Sequence, residues 1–144
     1  MDTEDQKPKI TVGVGVMIFK DGKVLIGKRV GNYAAGEYCF TGGKLEYMES
    51  FEDCAKRETR EEAGIEIKNI RFNCLSNVTA YAPKHFVDVE LIADWESGEP
   101  KVMEPDKLVE WKWYGLNEVP DPLFKFCVNA FEAHKTGKNF FDVN

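Results

Sequence analysis

The run Glu49-Ser-Phe-Glu-Asp-Cys-Ala-Lys-Arg-Glu-Thr-Arg-Glu-Glu-Ala-Gly64 constrains this chain more than any other stretch. It opens on Ser50, a good N-cap, with Asp53 in the place of a capping-box acid. It ends on Gly64, a natural residue just past a helix terminus. The pattern predicts a helix over 51–63. Each residue turns a helix by about 100°. Phe51, Cys54 and Ala55 then share one stripe, and Glu58, Glu61 and Glu62, spaced i, i+3, i+4, fall on that same stripe. Asp53, Lys56 and Arg60 take the opposite side. The helix is thus expected to begin by burying a stripe and to end by filling it with acids. An ordinary solvated helix would put those acids on the wet side.

Such an arrangement has a cost. A Glu58/Glu62 like-charge pair is unfavourable by roughly 0.2–0.5 kcal/mol even on an exposed helix. Turned toward the protein body, the acids must take up protons or bind a cation. Clustered carboxylate oxygens suit a hard ion such as Mg²⁺, which shares its shell with water and substrate phosphates. Arg57 is placed to neutralise part of the cluster. Ahead of the helix, Gly42-Gly43 frees backbone amides to meet an anion, though a glycine pair alone is more often a turn.

The remaining chain reads as α/β with a mixed sheet and at least two helices. Residues 1–9 are expected to be a flexible tail. Thr11 to Phe19 is a buried strand in which Gly13 and Gly15 leave one face nearly bare, a sign of close approach by another element. Asp21-Gly22 signals a hairpin into a second strand, Lys23 to Arg29. Residues 31–37 form a loop, and Tyr38 to Phe40 a short strand that stops at Gly42-Gly43. Further strands are expected at 67–78, 85–94 and 110–114, and a loop at 96–106. A closing helix is expected over 122–134, followed by a loosely held end. These assignments give a tail at 1–9, one domain at 10–135 and a C-terminal tail at 136–144.

Composition excludes several classes. The 144 residues carry a net charge of −6, which argues against gripping a nucleic-acid polymer by broad electrostatics. No apolar run approaches the ~20 residues of a membrane helix, and residues 1–9 lack a signal-peptide core. No membrane association and a cytoplasmic location are the default expectations. Cys39, Cys54, Cys74 and Cys127 form no CxxC pair and read as buried thiols. His85 and His134 stand far apart with no zinc-ligand spacing.

The same residues resemble the Nudix hydrolases, whose box is written G-x5-E-x7-R-E-U-x-E-E-x-G-U, with U aliphatic. Gly43, Glu49, Arg57-Glu58, Glu61-Glu62 and Gly64-Ile65 stand at its fixed positions. Thr59 alone departs, at the first U. Residues 10–65 and 100–126 are similar to the MutT-type enzymes, including Met103-Glu-Pro-Asp-Lys107, Trp111-Lys-Trp113 and Leu116-Asn-Glu-Val-Pro120. The resemblance implies an α/β/α sandwich with the box as a loop–helix–loop. It implies Mg²⁺- or Mn²⁺-dependent cleavage of a nucleoside diphosphate linkage, with a nucleoside triphosphate giving the monophosphate and pyrophosphate. By carry-over, Glu58, Glu61 and Glu62, with the Gly43 backbone, would hold metal. Glu58, Glu61, Arg57 and Glu104 would serve catalysis, Arg57 by positioning a box glutamate and Glu104 as an extra ligand or base. Glu49 and Gly64 would brace the box. Arg29, Phe40, Gly42, Lys44 and Phe126 would meet a small nucleotide substrate, and a homodimer is the assembly such relatives suggest.

Two departures bear on the substrate. Thr41 replaces the proline usual before the glycine pair. Lys125 stands where close relatives carry a tryptophan that shapes the base pocket, so oxidised-purine or pterin selectivity is not carried over. The aromatics Tyr33, Tyr38, Phe40, Trp111 and Phe126 are available for stacking, with core packing their default role. Rival readings are a nucleotide-sugar or dinucleotide diphosphatase, and a non-catalytic nucleotide-binding module. The intact box argues against the last.

Overall fold

The computed structural model describes residues 7–31 and 33–142. The elements run β1 (Ile10–Lys20), β2 (Lys23–Arg29), β3 (Tyr38–Cys39), β4 (Thr41–Lys44), α1 (Phe51–Ala63), β5 (Glu66–Val78), β6 (His85–Ser97), β7 (Leu108–Gly115), α2 (Lys125–Thr136) and β8 (Phe140–Phe141). The strands form one mixed sheet in the order β3-β2-β1-β6-β5-β8, with β4 paired to β1 and β7 to β2. The β1/β6 and β5/β8 pairs are parallel and the others antiparallel.

Strand alternation decides which helix covers which face. Val14, Val16 and Ile18 of β1 pack with Cys54, Ala55 and Ala63 of α1. Met17, pointing the other way, packs with Phe126, Cys127 and Ala130 of α2. One helix therefore seals each side, giving the expected α/β/α layering. All four cysteines are free and buried.

The opening in the sheet follows from its register. β1 and β2 pair only at Phe19–Val24 and Lys20–Lys23, next to the hairpin. Beyond that point β1 takes β4 as its neighbour, while β2 takes β3 and β7. The two strands thus have different partners on approaching the box, and the chain between them lines a cleft.

Some expectations need correction. The glycine pair does not end a strand: Gly42 and Gly43 lie inside β4, opposite Gly15 and Val14. Cross-strand pairing overrides their poor strand propensity. The closing helix starts at Lys125 instead of 122, because Leu123 bridges Tyr38 and Pro122 accepts the Tyr38 amide. The chain end is not loosely held at Phe140–Phe141, which pair with Leu75–Ser76 and bury Phe141. Of the expected N-terminal tail, 1–6 lie outside the described residues, and Lys7 to Lys9 are exposed and precede β1.

The α1 caps match the sequence reading. Ser50 Oγ accepts from the Asp53 amide at 3.0 Å, and Gly64 adopts φ 69°, its amide donating to the Arg60 carbonyl. Ser50→Ala is expected to lower stability by about 1 kcal/mol in urea denaturation. An unchanged midpoint would contradict that role for the cap.

Candidate active site

The acids of α1 divide among different environments. Cys54, Ala55, Thr59 and Ala63 are its buried residues. Phe51, placed on the buried stripe by sequence, is 46% exposed because it starts the helix beyond its packing partners. Thr59 is instead fully buried. The buried stripe is therefore rotated toward Thr59. Glu61 sits about 60° from Glu58 on the far side from that residue. Its side chain is 49% exposed, against 13% for Glu58. Two acids thus face the body of the protein and the third stands at the rim.

Glu62 Oε1 accepts the Gly42 amide at 2.8 Å. The Glu58 carboxylate lies against Gly43 so closely that a Cβ there would collide with it. That contact, and not a turn, is why glycine is needed at 43. Burial raises the Glu58 carboxyl to about 7, opposed by Arg57. Burial likewise raises Glu62 to about 8, opposed by the Gly42 amide and reinforced by Glu58 and Glu104.

Arg57 ties the cluster together. Its Nε donates to Glu49 Oε2 at 2.7 Å and its Nη2 to Glu49 Oε1 at 3.0 Å, a two-pronged pair. Nη2 also reaches the Lys44 carbonyl at 3.1 Å, while Nη1 stands 3.3 Å from Glu58 and 3.4 Å from Glu61. The Arg57 hydrogen bonds hold Glu49 down at about 2. The C-terminal end of α1 is fixed from outside, with Trp111 Nε1 donating to the Glu62 carbonyl at 2.9 Å and the Lys101 amide to the Ala63 carbonyl. Thr41 and Thr59, both departures from the expected pattern, answer each other. Their hydroxyls are 2.9 Å apart in a fully buried hydrogen bond.

A cleft of about 1000 Å³ runs from this cluster between the strands. Arg29, Phe40, Gly42, Gly43, Lys44, Arg57, Glu58, Glu61, Glu62 and Phe126 all line it. Glu49 and Gly64 sit behind the wall, where they brace Arg57 and end the helix. Glu104 is not brought to the wall; its carboxylate lies 3.6 Å from Lys107 Nζ, and its charge still acts on Glu58 and Glu62. Sequence reasoning missed Asp88 and Glu90, Lys84, and Lys107 with Asp106, all of which line the same cleft. The two acids on β6 alternate with apolar residues, and α2 covers the face they share. Their signal was the bare face of β1 at Gly13 and Gly15. The lysine departure at 125 does not empty the aromatic wall, because Phe124 and Phe126 pack with each other and with Tyr81.

Among the described residues, no three His, Cys, Asp or Glu side chains converge into a ready-made metal cage. The donors nonetheless fit a hard divalent ion. They are all oxygens, two belong to enclosed carboxyls whose charge is only partly compensated, by Arg57 at Glu58 and by the Gly42 amide at Glu62, and they project from little more than one helical turn, leaving room for water and phosphate. Linkage gives this fit a test. Folded Glu58 and Glu62 hold protons up to about 7 and 8, against 4.5 for an ordinary glutamate. The folded state therefore binds more protons than the unfolded state in that window, and stability must fall as pH rises through it. Glu49 acts oppositely, its contribution being lost as pH drops from 4.5 toward 2. In EDTA the melting temperature is expected to decline from about pH 5 to 8, and Mg²⁺ to restore more of it at pH 8 than at pH 5. A melting temperature that rises over this range in EDTA would refute the assignment.

A mixed sheet between two helices, with an arginine-braced glutamate cluster at the mouth of a large cleft, is the arrangement expected of the NUDIX class. The chain belongs to the NUDIX family, whose domain matches residues 9–133. It is 27% identical over 135 residues to an NAD-capped RNA hydrolase NudC from Pseudomonas putida, covering 90% of this chain and 47% of that protein. A NudC from Vibrio parahaemolyticus is 32% identical over 115 residues, covering 78% of this chain and 42% of the relative. The chain thus spans about half the length of these curated relatives. A MutT NUDIX hydrolase from Burkholderia pseudomallei superimposes with a TM-score of 0.82 at 33% identity, covering 87% of this chain and 98% of that one. The NUDIX domain of Shewanella oneidensis NrtR, solved with ADP ribose, shares the fold with a TM-score of 0.74 at 19% identity. No described helix is long and apolar enough to cross a membrane.

Proposed function

We propose that this chain hydrolyses the diphosphate linkage of a free nucleoside triphosphate, releasing the monophosphate and pyrophosphate. The observation that carries this reading is the cluster of Glu58, Glu61 and Glu62 braced by Arg57 at the mouth of the cleft. Glu58, Glu61, Glu62 and the Gly43 backbone would hold Mg²⁺ or Mn²⁺. Bound there, the ion supplies Lewis acidity to phosphoryl oxygens and eases deprotonation of water. Arg57 fixes the directions of Glu58 and Glu61, so little reorganisation is needed as charge develops. Lys44, Lys84 and Lys107 line the cleft and offer cations to a polyphosphate. Phe40 and Phe126 close the apolar end, where a base would be sheltered from water.

A dinucleotide substrate is the second reading, favoured by the similarity to NudC proteins and by a cleft of about 1000 Å³. A panel of nucleoside triphosphates, NADH, ADP-ribose and nucleotide sugars with Mg²⁺ or Mn²⁺ separates the two. Triphosphates are expected to give the highest kcat/KM. A clear preference for NADH would move the assignment to the dinucleotide reading, and no turnover of any member would overturn both.

A further inference from the structure

Helix α2 starts without a cap of its own. Phe124 stands at its N-cap and offers no side-chain hydrogen bond. The first amides of a helix need acceptors from outside it. The Lys125 amide finds one 44 residues back in the chain, donating to the Tyr81 hydroxyl at 2.7 Å. The same hydroxyl donates to Glu37 Oε1 at 2.6 Å. A phenol has one proton to give, and here it goes to Glu37, so the oxygen is left as the acceptor for the amide. Burial and the Glu37 hydrogen bond push the Tyr81 phenol above its ordinary range, which keeps that proton in place.

Three segments meet at this one oxygen. The loop 29–37 is closed at its base by the Arg29 amide on the Glu37 carbonyl and the Gly36 amide on the Arg29 carbonyl, both at 2.8 Å, and it carries Tyr33. The turn after β5 is closed by the Lys84 amide on the Tyr81 carbonyl at 2.9 Å, and it carries Lys84. The third segment is the start of α2, with Phe124 and Phe126.

Tyr33, Lys84, Phe124 and Phe126 line the cleft, whereas Tyr81 stands behind them. Its ring packs on the wall from the back. It stacks on Phe124 with ring centres 5.0 Å apart and meets Tyr33 and Phe126 edge-on at 5.6 and 6.1 Å. Lys84 Nζ in turn lies 4.9 Å from the Tyr33 ring centre. The α1 carboxylates are held separately, by Arg57 and the Gly42 amide. Loss of the Tyr81 oxygen would therefore free the wall and leave the metal-side cluster in place. A wall that must be ordered by its ligand binds that ligand more weakly.

We propose that Tyr81 is a positioning residue for the substrate, its hydroxyl clamping the loop 29–37, the 81–84 turn and the start of α2 so that the aromatic wall and Lys84 stand preformed around a bound nucleotide. This inference rests on the cleft taking a nucleotide, as proposed above.

The test is calorimetric binding of AMP, GMP, CMP and UMP in Mg²⁺, followed by kcat and KM for the triphosphate that matches the tightest of them. Tyr81→Phe removes one oxygen and keeps the ring. Tyr81→Phe and Glu37→Ala are each expected to weaken binding about tenfold, the loss that a hydrogen bond to a charged group commonly represents. The double variant is expected to be no more than about threefold worse than either single, because both changes open one clamp. Glu37→Gln keeps an acceptor for the phenol and is expected to stay within about threefold of wild type. KM is expected to rise with the weakened binding in Tyr81→Phe while kcat stays within about twofold.

A merely structural tyrosine would lower the melting temperature and leave affinity alone. Unchanged affinity in folded Tyr81→Phe overturns the inference, as does a fall in kcat with KM unmoved, or no binding of any of the four by wild type. Glu37→Ala opens the same clamp from the partly exposed loop, so it decides the matter if the tyrosine variant misfolds. The expected losses of affinity in a protein that hydrolyses no triphosphate support this inference and defeat the proposed activity. Hydrolysis with an unaltered KM in Tyr81→Phe defeats this inference alone.

Discussion

Glu61→Gln is expected to lower turnover by about three orders of magnitude while leaving the fold intact, since each decade corresponds to about 1.4 kcal/mol of barrier and a metal ligand contributes several. The separation of these effects follows from where Glu61 sits. Its side chain is half exposed, and its contact with the protein is a 3.4 Å approach to Arg57 Nη1. An amide of the same shape leaves α1 packing untouched, because the helix is held by Cys54, Ala55, Thr59 and Ala63. Stability is expected to change by no more than about 0.5 kcal/mol, as at most surface positions. The charge that would hold a divalent ion at the mouth of the cleft is what disappears. Initial rates with saturating Mg²⁺, read beside a thermal melt, check both halves. Near-normal hydrolysis in a folded Glu61→Gln protein would sink the site assignment.

Arg57→Ala is expected to be the next most damaging change. This one side chain bridges Glu49, the Lys44 carbonyl, Glu58 and Glu61. Without it Glu58 and Glu61 lose the guanidinium that stands between them and repel, and the loop held by Glu49 loses its anchor. Misplacing reacting groups by about 1 Å costs on the order of 100-fold in rate. Arg57→Lys is expected to recover little, because a single ammonium cannot reproduce the two-pronged pair with Glu49 while also reaching Glu58. The measurement is kcat for both variants against Mg²⁺ concentration. Full rescue by lysine would mean that only charge matters at this position, contrary to the geometry.

Much of the site was legible because local rules agree there. Ser50, the 3.6-residue period and Gly64 bound α1 correctly, and the same period placed Glu58 and Glu62 toward the body of the protein, while it also placed there Glu61, which stands half exposed at the rim. Other features depended on contacts distant in sequence. Gly42-Gly43 read as a stop, since nothing local reveals that β1 will pair with it. Phe51 read as buried because periodicity says nothing about where a helix runs past its sheet. Asp88 and Glu90 alternate with Val87, Val89 and Leu91, the pattern of a half-wet strand. Only the placement of α2 over that face turns them inward. The replacements Thr41 and Thr59 looked unrelated, being 18 residues apart, until the fold joined their hydroxyls.

On the proposed reading the α1 carboxylates carry metal-dependent hydrolysis of a diphosphate linkage. Phosphorus NMR of a nucleoside triphosphate incubated with the protein tests it most directly, in Mg²⁺ and in excess EDTA. Pyrophosphate and the nucleoside monophosphate are expected with Mg²⁺, and unchanged substrate in EDTA. Orthophosphate with the nucleoside diphosphate, or equal turnover in EDTA, would contradict it.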